Sequence, residues 1–146
     1  MSLLNRSKSA GSPTRDMRAT ARQTANFTHD LRVRDHHLVA DEPVDAGGDD
    51  EGPSPQELLA ASLASCTAIT MEMYARRKGW NVDGMEVDCR YTPAERGCVT
   101  AFELVMRMPA HLSEEQVERL QIIAAKCPVH RTLEGEVAFE ERVELT

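Results

Sequence analysis

The chain has 146 residues, 41% of them apolar and 28% charged, with a formal net charge of −7 at pH 7. That is one ordinary domain, with enough apolar matter for a core that needs neither disulfides nor metals. Arg6, Lys8 and Arg15 stand near the start without an acid, so the remainder holds 14 basic against 24 acidic side chains. Such a body repels phosphate backbones and argues against nucleic acid as a partner.

Residues 1–17 are polar, contain Gly11 and Pro13, and show no period, which predicts a disordered or tag-like tail ahead of a single domain over 18–146. They hold no apolar signal core. The longest uncharged apolar-rich run, Leu58 to Met71, lies between Glu57 and Glu72, short of the roughly 18 residues a membrane span needs. A cytoplasmic location away from membranes is therefore expected, in which four cysteines are free or catalytic thiols rather than a disulfide framework.

From Arg18 to Asp41, short apolar segments around Phe27, Leu31–Val33 and Leu38–Ala40 predict two or three strands with turns near Asn26 and Asp35. Pro43 to Gly52, with Gly47-Gly48 and four acids, reads as a solvated loop. Ser54-Pro55 then opens a long helix, Ser54 capping it, Pro55 in the first helical position and Glu57 completing a capping box. Arg76-Arg77-Lys78 suit its far end, and Gly79 stops it. Apolar and small residues occupy every face from Leu58 to Ala75, so this helix must be covered on several sides, more than one small chain can supply. A dimer is expected.

Asn81–Thr92 and Cys98–Met108 read as an antiparallel hairpin turned at Pro93 and Gly97. Ser113 and Gln116 mark a second capping box, followed by Val117, Leu120, Ile123 and Ala124 at helical spacing. A short helical turn is expected from Pro128 to Leu133 and a last strand from Val137 to Leu145. The fold class is α+β: antiparallel strands around one long buried helix.

Two thiols stand out. Cys127 precedes a proline that opens a helix, near unsatisfied backbone N–H groups, with His130 and Arg131 within a turn. Cys66 lies mid-helix, where the backbone donors are already used, so a cation from elsewhere must reach it if it is to react. Without one it is a small hydrophobe. Cys89 and Cys98 read as structural. Cys127-x-x-His130, completed by His36-His37 or Cys66, has tolerable spacing for a metal, but there is no C-x-x-C and no finger-like pair, so no metal or cofactor is expected.

At these residues the chain resembles the OsmC/Ohr family, named for osmotically inducible and organic hydroperoxide resistance proteins. The likeness is carried by Gly52-Pro-Ser-Pro-Gln-Glu-Leu-Leu-Ala-Ala-Ser-Leu-Ala-Ser-Cys-Thr-Ala68, by Asp41-Glu-Pro43 with the following Gly47-Gly48, and by Cys127-Pro-Val-His-Arg-Thr-Leu133. The resemblance implies an OsmC-like fold, an intertwined homodimer, and a thiol-dependent peroxidase needing no cofactor. Cys66 would attack an organic hydroperoxide, and more slowly hydrogen peroxide, to become a sulfenic acid; Cys127 would resolve it as a disulfide that an external dithiol reduces. The hydroperoxidase branch of the family has a glutamate ten residues before the first cysteine, paired with an arginine. Here Gln56 holds that place, with Glu57 about 100° further round the helix. Arg22, Arg32 and Arg34 are the candidate arginines, and His130 is a further orienting candidate. The wording is closer to an OsmC-like branch, for which the alternative is a non-catalytic redox sensor or a binder of small hydrophobic ligands.

Overall fold

The computed structural model describes residues 17–146, so the expected tail lies outside the described residues except for Met17. The chain forms two compact units, divided after Pro53.

In the first unit, strands β1 (Thr20–Ala25), β2 (Thr28–Val33) and β3 (His36–Ala40) make an antiparallel meander in chain order. Leu31 pairs with Ala21 on one side and Leu38 on the other. The two hairpin loops carry the positive-φ residues Asn26 (45°) and Arg34 (55°), which lets each strand reverse in two residues. After β3 the acidic stretch is not a free loop. It holds a 3-10 turn, Val44–Ala46, and wraps around Asp41, whose side chain is 1% exposed. The carboxylate accepts from Thr28 Oγ1 (2.8 Å), Glu42 N–H (2.7 Å) and Glu51 N–H (3.2 Å). Asn26 Nδ2 donates to Gly47 O at 2.9 Å, fixing the other end. A buried acid surrounded by donors holds the loop in shape where composition alone suggests only solvation.

The second unit begins at Ser54. Helix α1 spans Pro55–Lys78, with the reciprocal cap in place: Glu57 N–H donates to Ser54 Oγ (3.2 Å) and Ser54 N–H to Glu57 Oε1 (3.0 Å). Gly79, at φ 70°, ends it in the left-handed conformation that glycine adopts without penalty. Strands β4 (Glu86–Thr92) and β5 (Ala101–Arg107) form an antiparallel pair with Cys89 opposite Leu104. Burial alternates along both strands, turning Val87, Cys89 and Tyr91 toward α1 while Glu86, Asp88 and Arg90 face solvent. Helix α2 (Glu114–Ala124) carries the second capping box, and α3 (Pro128–Glu134) follows at once. The core is Met71, Ala75, Leu120 and Ala124, with Tyr74, Trp80 and Met106 against it.

Two expectations change. The hairpin is shorter than its apolar run: residues 81–85 turn, with Asp83 N–H on Asn81 Oδ1 (2.8 Å), and Cys98 sits in the connection, bridged to Glu95. Residues 137–145 form no strand among the described residues, although their apolar side chains keep much of a strand's spacing. Both sheets keep open edges within the chain, β1 and β3 in one and β4 and β5 in the other, yet this segment joins neither, and Val137, Phe139, Val143 and Leu145 remain exposed. Within the single chain α1 is not covered all round, in keeping with the expectation that one small chain cannot cover all its apolar faces. Only Leu63, Thr67, Met71 and Ala75, one stripe at four-residue spacing, are buried, while Ile69 and Met73 on another face are 53% and 59% exposed. An 18-residue window of α1 has a mean hydropathy of 1.3, enough by length and composition for a membrane span. Its buried stripe packs against α2, as a core helix does.

Candidate functional site

The site is built where α1 meets the start of α3. Leu120 and Ala124 of α2 pack on Met71 and Ala75, so α2 leads the chain back along α1 toward Cys66. Pro128 occupies the first position of α3 and makes Cys127 its N-cap, in the extended conformation a cap requires (φ −60°, ψ 140°). Here the capping atom is sulfur. Cys127 Sγ accepts the His130 N–H at 3.2 Å and the Thr67 hydroxyl at 3.8 Å, and the residue has no solvent exposure.

Cys66 arrives from the α1 side, partly exposed, as a free thiol. The Val129 amide, the Cys127 thiol and the Thr70 hydroxyl are the polar groups that act on it. A mid-helix cysteine thus does receive backbone help, but from α3: Val129 N–H faces Cys66 and His130 N–H faces Cys127. Both sulfurs share the free donors of one helix start. The Val129 amide is thus a donor from outside α1 that acts on Cys66. Burial nevertheless dominates and pushes the Cys66 thiol above its ordinary range; the Val129 amide opposes it, and the neighbouring Cys127 thiol adds to it. No cation is among the groups acting on Cys66.

The remaining expected residues fall elsewhere. Gln56 and Glu57 stand in the first turn of α1, about 15 and 13.5 Å along the axis from Cys66, and Glu57 is half a turn away around it. The Glu57 carboxylate is occupied by the Ser54 N–H, which holds it below the usual carboxylate range. Both residues line a cavity of about 610 Å³ between α1 and β4, with Ala60, Ala64, Cys89 and Tyr91 in its walls. Arg22, Arg32 and Arg34 belong to the first unit, where Arg32 pairs with Asp30 at 3.4 Å. His130 gives its backbone to Cys127 and its Nε2 to Glu134 Oε1 (2.8 Å), leaving Nδ1 buried without a hydrogen-bond partner. His37 is taken up by Asp30 at 3.3 Å. Among the described residues no three His, Cys, Asp or Glu side chains gather as a metal site.

Thr67, Thr70 and Val129 were not singled out from the sequence. Thr70 carries a signal in its spacing, a hydroxyl four residues after Cys66 and one turn on along the same helix face, whereas Thr67, one residue on, lies about 100° round the helix.

The family model for OsmC-like proteins matches residues 48–142, which contain both cysteines. No curated protein matches the chain. Among solved structures, an osmotic-stress-induced and detoxification response protein of Psychrobacter arcticus is 21% identical, with 78% of this chain and 85% of that one covered at a TM-score of 0.70. An OsmC-like protein of Mycoplasma pneumoniae is 18% identical, with 84% and 89% covered at 0.71. The organic hydroperoxide resistance protein OhrB of Bacillus subtilis is 22% identical, with 82% and 90% covered at 0.58. At these identities the likeness is one of fold.

Proposed function

Since the chain belongs to the family of OsmC-like proteins, we propose that it reduces organic hydroperoxides through its two neighbouring thiols. The observation that carries this reading is the meeting of Cys66 and Cys127 at the first turn of α3. Cys66, as thiolate, attacks the peroxide oxygen distal to the organic group. The O–O bond breaks, Cys66 becomes a sulfenic acid and the alkoxide leaves as the alcohol after taking a proton. Cys127 then attacks the Cys66 sulfur, water departs and a disulfide remains. An external dithiol restores both thiols. Hydrogen peroxide follows the same route more slowly.

The step that the single chain does not supply is ionisation of Cys66. Gln56 and Glu57 are too far along α1 to act within one chain, so either would approach Cys66 from a second copy. A homodimer is supported by the uncovered faces of α1 and by the unpaired apolar segment at 137–145. In that assembly Arg22, Arg32 or Arg34 would provide the cation, and His130 would orient Cys127 through its backbone. We place the protein in the cytoplasm, where dithiol reductants are available.

The test is to treat reduced protein with stoichiometric cumene hydroperoxide and count thiols. Wild type should lose two thiols per chain, Cys66→Ser none, and Cys127→Ser should accumulate a trappable sulfenic acid. An inert wild type whose Cys66 still alkylates would favour the second reading, a non-catalytic redox sensor or binder of a small hydrophobic ligand. Such a ligand would enter the cavity between α1 and β4, which is walled by Ala60, Ala61 and Ala64 but also by Glu57, Asp88 and Arg90.

A further inference from the structure

Away from the thiols, the C-terminal end of α1 and the exposed side of α2 bring three cations onto one aromatic ring. Arg119 lies 5.5 Å, Lys78 5.6 Å and Arg77 6.0 Å from the centre of the Tyr74 ring. Arg119 Nε donates to the Tyr74 hydroxyl oxygen at 2.9 Å. That bond, with the charges of Arg119, Lys78 and Arg77, holds the phenol below its ordinary range. Trp80 packs against the same ring in a T-shaped arrangement, with 5.7 Å between ring centres.

Two features separate this cluster from ordinary helix-end charge. Arg119 belongs to a different helix, so the macrodipole of α1 does not explain its convergence. In addition, none of the three makes an ion pair among the described residues, although Glu72, Glu115 and Glu118 are close in sequence and Glu115 stands one turn before Arg119. A chain with 24 acids against 17 bases leaves three exposed cations together and unneutralised.

The position relative to the thiols is set by helix geometry. Tyr74 is eight residues after Cys66 on α1, about 12 Å along the axis. Arg119 is eight residues before Cys127, on the helix that returns along α1. A protein interface of ordinary size, about 800 Å² per partner and roughly 30 Å across, covers both the cations and the partly exposed Cys66.

We infer that Tyr74, Arg77, Lys78 and Arg119 form the docking surface for an acidic face of the dithiol protein that reduces the Cys66–Cys127 disulfide. This rests on the function proposed above. Arginine pairs with carboxylates in a bidentate manner, and a compact acidic patch fits between these cations. An extended polyanion such as nucleic acid would meet the acidic remainder of the surface. Once docked, a partner thiolate attacks Cys66 Sγ and the S–S bond breaks. Cys127 leaves as thiolate beside the His130 N–H and takes up a proton. The second partner thiol then attacks the mixed disulfide, releasing Cys66 and leaving the partner oxidised.

The experiment makes the disulfide form with diamide, so that it does not depend on reactivity toward peroxide. Reduction is followed with two short Cys-x-x-Cys peptides, one flanked by glutamates and the other by lysines, at low ionic strength. The net charge of the chain favours the lysine peptide; docking at this cluster makes the glutamate peptide faster, by about tenfold or more. High salt should bring the two together. Arg77→Glu/Lys78→Glu/Arg119→Glu should abolish the preference while reduction by dithiothreitol keeps its wild-type rate. The milder Arg77→Gln/Lys78→Gln, which leaves the Arg119–Tyr74 bond in place, should lower the preference if the triple variant does not fold. A lysine peptide as fast as the glutamate peptide on wild type, or a preference that survives these substitutions, overturns the docking inference alone. Failure of diamide to link Cys66 to Cys127 overturns it together with the thiol-pair reading.

Discussion

Thr67 and Cys127 face each other across the junction of α1 and α3, with 3.8 Å between hydroxyl oxygen and sulfur and no solvent exposure at either residue. Thr67 shares the buried stripe of α1 with Leu63, Met71 and Ala75, so the seam that builds the core also sets where α3 begins. Packing and thiol placement are therefore one problem in this fold.

Enlarging that seam should separate the two. Thr67→Leu adds volume where there is no free space, at a cost of about 1–3 kcal/mol in stability. It should also displace the start of α3 and slow formation of the Cys66–Cys127 disulfide. Urea unfolding and the rate of thiol loss after diamide check both effects. A stable variant that forms the disulfide at the wild-type rate would show that this contact does not position Cys127.

Asp41 gives the first unit an acid-sensitive fold. Desolvation raises its affinity for a proton, but the Thr28 hydroxyl and the Glu42, Glu51 and Asp49 amides outweigh that and hold the folded carboxyl below its ordinary 3.8. A depressed folded value means that the stabilisation is present above the unfolded value and is lost as pH falls through the folded one. Asp41→Asn should therefore lower the melting temperature at neutral pH and flatten its decline below pH 3.8. Melting curves from neutral to acid pH decide the matter.

Gly48 is required by contact, since an added Cβ would lie 1.9 Å from the carbonyl oxygen of Glu42. Gly48→Ala should cost about 1–3 kcal/mol, as overpacking does. Proteolysis within the 43–52 loop should rise in parallel.

Burial raises the Cys66 thiol, so in dilute protein its alkylation should have a midpoint above the ordinary thiol value of 9.0. The same shift adds stability at neutral pH, which is lost as pH rises through the folded value. If a second copy brings a cation to Cys66, the midpoint must fall as protein concentration increases. Iodoacetamide labelling at two concentrations, read by peptide mass, tests this. A midpoint that stays high at both would remove the activation step from the proposed mechanism.

The elements themselves were legible because their signals are local. Ser54 and Ser113 mark both capping boxes, Gly79 marks the end of α1, and Asn26 and Asp35 mark the first two turns. The strand expected over 137–145 does not form, because alternation marks an apolar face without saying which strand lies alongside to pair with it. At the site, Cys127 was readable from Pro128, which makes it an N-cap. The donors around Cys66 were not, because Val129 comes from 63 residues downstream through the packing of α2 on α1. The Tyr74 cluster escaped for the same reason: Arg77 and Lys78 look like ordinary helix-end cations until Arg119 arrives from another helix.

The most direct test is to expose the reduced protein to one equivalent of cumene hydroperoxide, block the remaining thiols and map the cross-linked peptides. The account predicts a single linkage joining the peptide of Cys66 to that of Cys127, with Cys89 and Cys98 alkylated. Recovery of Cys66 and Cys127 as free thiols, or a linkage of either to Cys89 or Cys98, would contradict it.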